Sequence, residues 1–185
     1  MISTTNTIIF IILSLPIVVL SRKYIFNPKT HGFYRFFSWE CIILLFSVNY
    51  EFWFREPLTL PHLISWILLI VSVYLIIAGP LELSRKGKSE KIRNDQELFE
   101  FEKTTKIVDS GIYSFIRHPL YSSLLFLTWG ICLKNINILT IIISCISTIF
   151  LFLTAIQDEK ECLLFFGESY KIYMKKTRRF IPYLF

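Results

Sequence analysis

Residues 4–21, 60–80, 119–133 and 136–157 contain no Asp, Glu, Lys or Arg, although the chain as a whole carries 14 acidic and 20 basic residues. That segregation limits what the chain can fold into. A helix of roughly 20 mostly apolar residues is what crosses about 30 Å of hydrocarbon, and 185 residues with 54% apolar content cannot bury several such runs in a soluble core. A fifth run, 38–54, is apolar apart from Glu40, Asn49 and Glu51, which should face protein or headgroups and not lipid tails. The chain therefore reads as all-α: a polytopic integral membrane protein with about five transmembrane helices at 4–21, 38–54, 60–80, 119–133 and 136–157. It forms one domain over residues 1–185, with three N-terminal spans in 1–80. Pro16 is predicted to kink the first helix, Pro61 and Gly79-Pro80 to bound the third, and Lys134-Asn135 to join the last two as a tight antiparallel hairpin.

Charge gives these spans a direction. The net charge is +6, and segments 21–37, 81–118 and 158–185 hold four, eight and six of the Lys and Arg residues, against Arg55 and Lys134 in the opposite connections. By the positive-inside rule the basic face is cytoplasmic, so five crossings put the N-terminus outside and the C-terminus inside. The partner implied is the lipid bilayer, and nucleic acid is excluded. The first basic residue, Arg22, follows the first apolar run, which is the wrong order for a cleaved leader, so that run is retained as a span. Cys41, Cys132, Cys145 and Cys162 lack ligand spacing and read as packing thiols. No metal is implied.

The long polar connection 81–110 scatters Ile92, Leu98, Phe99 and Phe101 among charges. It fits either a surface helix with a modest apolar side or a solvated loop. Beyond the fifth span the helix should continue through Asp158–Glu161 to a C-cap at Gly167. Tyr170 and Tyr173 then share one face of a further amphipathic turn. His31 and His62 are given no role, and Trp39, Trp53 and Phe54 read as interfacial belt residues.

Chemistry should lie where Gly111-Ile112-Tyr113-Ser114-Phe115-Ile116-Arg117-His118-Pro119-Leu120-Tyr121 runs from a polar loop into the fourth span. The hairpin turn makes the basic-side ends of spans four and five neighbours, about one interhelical distance of 8–10 Å apart. Tyr113, Arg117, His118 and Tyr121 should therefore meet Asp158 and Glu159. A cleft with a guanidinium, an imidazole, two carboxylates and two phenols beside apolar helices suits an amphipathic cofactor and a lipid-soluble substrate.

The run Gly111-x-Tyr113-x-x-x-Arg117-His118-Pro119-x-Tyr121, followed by the acidic pair Asp158-Glu159, by Phe166-Gly167-x-x-Tyr170-x-x-Tyr173 and by Pro182, resembles the isoprenylcysteine carboxyl methyltransferase family. The phospholipid N-methyltransferases share this pattern. The resemblance covers residues 105–182. It implies a transferase that uses S-adenosyl-L-methionine, with Thr105, Lys106, Ile107, Val108, Tyr113, His118, Pro119, Leu120, Tyr121, Asp158 and Glu159 binding the cofactor. Arg117, His118 and Glu159 are implied as catalytic. Arg117 would pair with the cofactor's carboxylate, and His118 or Glu159 would serve as base for an amine acceptor. The acceptor implied is a lipophilic one, a prenylcysteine-like carboxylate or another lipid. Thr105 and Thr154 stand where the prenylcysteine enzymes have His and Arg. Two alternatives compete. The NADPH-dependent sterol reductases also carry an Arg-His-Pro-x-Tyr segment, and a non-enzymatic lipid-binding scaffold would account for the basic face alone.

Overall fold

The computed structural model describes residues 3–87 and 102–183, all in helices, turns and loops apart from one isolated β-bridge. The helices are α1 (Thr4–Ser21), α2 (His31–Asn49), α3 (Leu60–Lys86), α4 (Pro119–Cys132), α5 (Ile138–Phe166) and α6 (Glu168–Lys176), with short 3₁₀ turns at Tyr50–Phe52 and Gly111–Ser114. Helices α1 to α5 alternate in direction, so the ends richest in Lys and Arg gather together. Ile92, Leu98, Phe99 and Phe101, on which the choice between a surface helix and a solvated loop rests, lie outside the described residues.

Among the described residues three helices, α1, α3 and α5, are long and apolar enough to cross a membrane. Five such spans are not confirmed. Helix α4 has 14 residues, about 21 Å of rise, which falls short of the hydrocarbon thickness. Helix α2 starts at His31, well before the expected residue 38, and ends at Asn49, before 54. Its first turns are polar because those side chains find protein partners: the buried Arg35 guanidinium pairs with Glu102 at 3.1 Å and lies over the Trp39 ring.

Helix α3 also departs from expectation. It runs through Gly79-Pro80 to Lys86 and caps on Gly87, whose N–H donates to the Leu83 carbonyl at 2.8 Å. A proline inside a helix is tolerated where neighbours compensate for the lost hydrogen bond. Gly79 is the contact point here, since a side chain there would stand against Pro119, Leu120 and the Tyr113 hydroxyl. The added turn carries Glu82 and Leu83 to the level of the 111–121 loop.

Helix α3 packs along α4, and α2 packs along α5. Ile42, Leu45, Leu69, Ile131, Cys132 and Ile143 form the main apolar cluster. Small polar side chains knit the helices together where lipid tails give no hydrophobic drive for association. Ser38 and Thr128 both reach the Ser147 hydroxyl, at 3.0 and 3.3 Å, tying α2 and α4 to α5. The α4–α5 turn is closed by a reciprocal cap in which Asn137 and Thr140 each bond the other's backbone N–H at 3.1 Å.

Candidate active site

The Arg-His-Pro segment is fixed by the chain's own C-terminus. After α6 the backbone returns beside residues 115–118. The Arg117 N–H donates to the Arg178 carbonyl at 2.7 Å, the Arg178 N–H to Phe115 at 2.9 Å, and the His118 N–H to Arg179 at 3.2 Å. Ser122 adds a side-chain bond to the Phe180 carbonyl at 2.8 Å. Phe180 fills the space between Tyr121, Leu151 and Ala155. Pro119 opens α4 at a position where a missing N–H costs nothing. His118 is thus held as the last residue before the helix, with its ring inside the protein.

The expected meeting of the two blocks is present. Tyr121 donates its hydroxyl hydrogen to Asp158 at 2.9 Å. The His118 ring lies between two carboxylates, Nδ1 3.5 Å from Asp158 and Nε2 3.4 Å from Glu159, and stacks on Tyr121 with 5.3 Å between centroids. Burial disfavours the charged imidazole, but the bonds and charges of Asp158 and Glu159 outweigh it, so its pKa lies above the ordinary histidine value. At neutral pH the ring is therefore biased toward carrying both protons and acting as a donor.

Glu159 and Arg117 sit differently from what the sequence suggested. Glu159 is buried and receives the Arg179 guanidinium on both oxygens, at 3.0 and 2.7 Å, and Arg117 Nε at 3.0 Å. Arg117 directs its Nη1 to the carbonyls of Met174 and Thr177. The bidentate grip expected between Arg117 and a cofactor carboxylate is thus engaged within the protein. Glu159 is the centre of a clamp joining α5, the 111–118 loop and the tail. Its oxygens are already occupied, which leaves it poorly placed as a base.

The cleft beside this clamp encloses about 710 Å³ of empty space, counting its open mouth. Of the eleven residues expected to hold the cofactor, Ile107, Val108, Tyr113, His118, Pro119, Leu120, Tyr121 and Asp158 line the cleft. Thr105, Lys106 and Glu159 do not. The backbone N–H groups of Thr105 and Lys106 reach back to the Gly87 carbonyl at 2.9 and 3.3 Å, which sets the course of the loop behind the lining.

Sequence reading missed Leu83, Glu102, Thr104 and Cys162, which also face the cleft. Only Cys162 left a signal, since it lies one helical turn beyond Asp158 and so on the same face; its thiol is 3.6 Å from the Asp158 carboxylate. Leu83 was hidden by the proline that was read as a stop. Tyr170 and Tyr173 line the opposite wall as their shared face suggested. Burial pushes the Tyr113, Tyr170 and Tyr173 phenols up, so they remain neutral. His31, given no role, is fully buried and reaches Glu161.

No curated protein matches the chain with significance, and no solved structure does. A family model described as phospholipid methyltransferase matches residues 60–168, more than half of the chain, from α3 through the cleft to the start of α6. With that match covering both blocks of the cleft, the chain belongs to the phospholipid methyltransferase family, a family of membrane methyltransferases.

Proposed function

We propose that the protein transfers a methyl group from S-adenosyl-L-methionine to a lipophilic acceptor, in the cleft between α3, α4, α5 and α6 on the cytoplasmic side. The observation that carries this reading is the Asp158 carboxylate. It is oriented by the Tyr121 hydroxyl at 2.9 Å and by His118, and it faces a cleft lined mostly by apolar and phenolic side chains, with Glu102 and Arg117 also on its walls. Such a donor set fits the cofactor: a carboxylate for its ammonium group or ribose hydroxyls, and the faces of Tyr170 and Tyr173 for a flat base. When bound, the cofactor supplies an electrophilic methyl carbon on a sulfonium, which leaves as a neutral thioether.

The protein's own residues bind, orient and exclude water. His118, set between Asp158 and Glu159, holds Asp158 in its inward-facing position. The Glu159 clamp fixes the loop that carries His118, so that the reacting partners can be aligned at near-attack distance. Tyr113 and Leu120 close the wall toward α3, which keeps the site dry and favours a step in which charge is neutralised.

Three observations weigh the acceptor away from a prenylcysteine carboxylate and toward an amine-bearing lipid. Arg117 is engaged by Glu159 and the tail carbonyls, while Glu102, which pairs with Arg35 at 3.1 Å, adds a second carboxylate to the lining. Thr154, at the position of the prenylcysteine enzymes' Arg, is fully buried and donates to the Phe150 carbonyl at 2.7 Å. The test has two arms. The purified protein should bind adenosylhomocysteine and not NADPH, and membranes given methyl-labelled cofactor should yield a lipid-soluble product whose label survives base. NADPH binding without adenosylhomocysteine binding would overturn methyl transfer. A base-labile label would restore carboxyl methylation.

A further inference from the structure

We infer that His31, at the start of α2 and outside the region matched by the family, is a positioning residue for Asp158. The inference rests on the cofactor reading above. The 29–31 loop docks on one face of α5: Gln157 donates its amide to the Lys29 carbonyl, and Glu161, one turn further on, accepts two bonds from His31. These are from the backbone N–H at 2.8 Å and from Nδ1 at 2.6 Å. The neighbouring face of the same turn carries Asp158 and Cys162 into the cleft. A helix that is gripped at 157 and 161 cannot rotate, and its 158 side chain is aimed by that grip.

The ring does more than tie a loop down. It is fully buried, its Nε2 has no hydrogen-bond partner among the described residues, and ligand-type atoms of His31, Asp158 and Glu161 lie within 4.8 Å of one another. Asp158 is therefore flanked by two imidazoles, His118 from the start of α4 and His31 from α2. A group that holds a binding carboxylate from behind usually matters for affinity by about ten- to a hundredfold, as with the outer partners of metal ligands. Cofactor binding in this chain then depends on the N-terminal helices as well as on the family-matched part.

The experiment measures adenosylhomocysteine affinity and melting temperature of the full chain in detergent, for the wild type, His31→Ala, His31→Asn, Asp158→Asn and the double variant His31→Ala/Asp158→Asn. His31→Ala keeps the backbone bond to Glu161, which favours folding. It should lose about tenfold in affinity. Asn can present a donor near the place of Nδ1, so His31→Asn should recover most of that loss. With Asp158 already replaced, removing His31 should lower affinity by less than about twofold, a coupling that a merely structural role would not produce. Equal affinity in wild type and a folded His31→Ala, or strictly additive losses in the double variant, would overturn the positioning role while leaving the cofactor reading intact. A wild type that binds no adenosylhomocysteine would overturn both. Should His31→Ala fail to fold, His31→Leu, which fills the space of the ring without a donor, takes its place on each Asp158 background: additive losses overturn the role, and coupled losses support it.

Discussion

A cation sits at each end of helix α4, and the two ends treat it in opposite ways. At the N-terminal end Arg117 meets Glu159 at 3.0 Å, with Arg179 and His118 on the same carboxylate, and an open cleft lies alongside. At the C-terminal end Lys134 is 2% exposed, its ammonium 3.4 Å from the centre of the Trp66 ring and 5.3 Å from that of Trp53. Its Nζ has no hydrogen-bond partner among the described residues. Around it the helices close up. Ser65 donates to the Gly130 carbonyl at 2.6 Å and Asn49 to Ile131 at 2.9 Å, and a side chain at Gly130 would collide with Leu69. One end pairs its charges with each other beside a cleft; the other surrounds its charge with rings where the helices pack closely. Ion pairs with directional partners can hold a loop and a tail in register around a cavity. Ring faces give only a non-directional seat, adequate for packing.

Breaking the first arrangement should have the largest effect. Glu159→Ala leaves Arg117 and Arg179 without their shared carboxylate in a buried setting, a loss of about 3–5 kcal/mol. A melting temperature in detergent close to that of the wild type would contradict the clamp. Asp158→Asn should act next most strongly, and differently. It removes a carboxylate oriented by Tyr121 and His118 but leaves the clamp, so adenosylhomocysteine affinity should fall by about ten- to a hundredfold, the scale of a charged hydrogen bond of roughly 1.5–3 kcal/mol, with little change in melting temperature. If both variants lose stability equally, the division between clamp and binding carboxylate fails.

His118 supplies a pH test of the same end. Its folded pKa lies above that of an unfolded histidine, about 6.5, so the folded state holds the proton more tightly. The resulting stabilisation is fully present below about pH 6.5 and is lost as pH rises through the folded value. The melting-temperature advantage of wild type over His118→Asn should therefore be greatest near pH 6 and shrink on raising the pH. A difference that is flat, or that grows with pH, would show that the ring is neutral in the fold.

Most of this architecture could be read from the chain because two kinds of signal are local. Uncharged runs mark the helices, and a short α4–α5 connection forces His118 toward Asp158 and Glu159 whatever the side chains in between. What was not legible depended on partners distant in sequence. The pairing of Arg117 with Glu159 follows from the hairpin, but its bonds to the Met174 and Thr177 carbonyls depend on the path of the tail. Helix α2 could not be placed from its own hydropathy, since His31 and Arg35 are tolerable only beside Glu161 and Glu102. Pro80 has a strong local tendency to stop a helix, and packing of Gly79 against Pro119 and Leu120 overrides it.

The smallest effect should come from the other end of α4, at Lys134→Met. Burial lowers the Lys134 pKa, which means that the fold disfavours the charged amine relative to water. Ring faces return part of this, on the order of 0.5–2 kcal/mol for a cation on tryptophan. Methionine forgoes both the penalty and the return while keeping an unbranched side chain that packs well against aromatic rings. The two contributions oppose each other, so stability should change by less than about 1 kcal/mol, with adenosylhomocysteine affinity unaltered. The same exchange at the cleft end, Arg117→Met, has no such cancellation, because a buried carboxylate loses one of its partners. A large loss from Lys134→Met would mean that the ammonium holds its end of the bundle as Arg117 holds the other, and the contrast between the two ends of α4 would disappear.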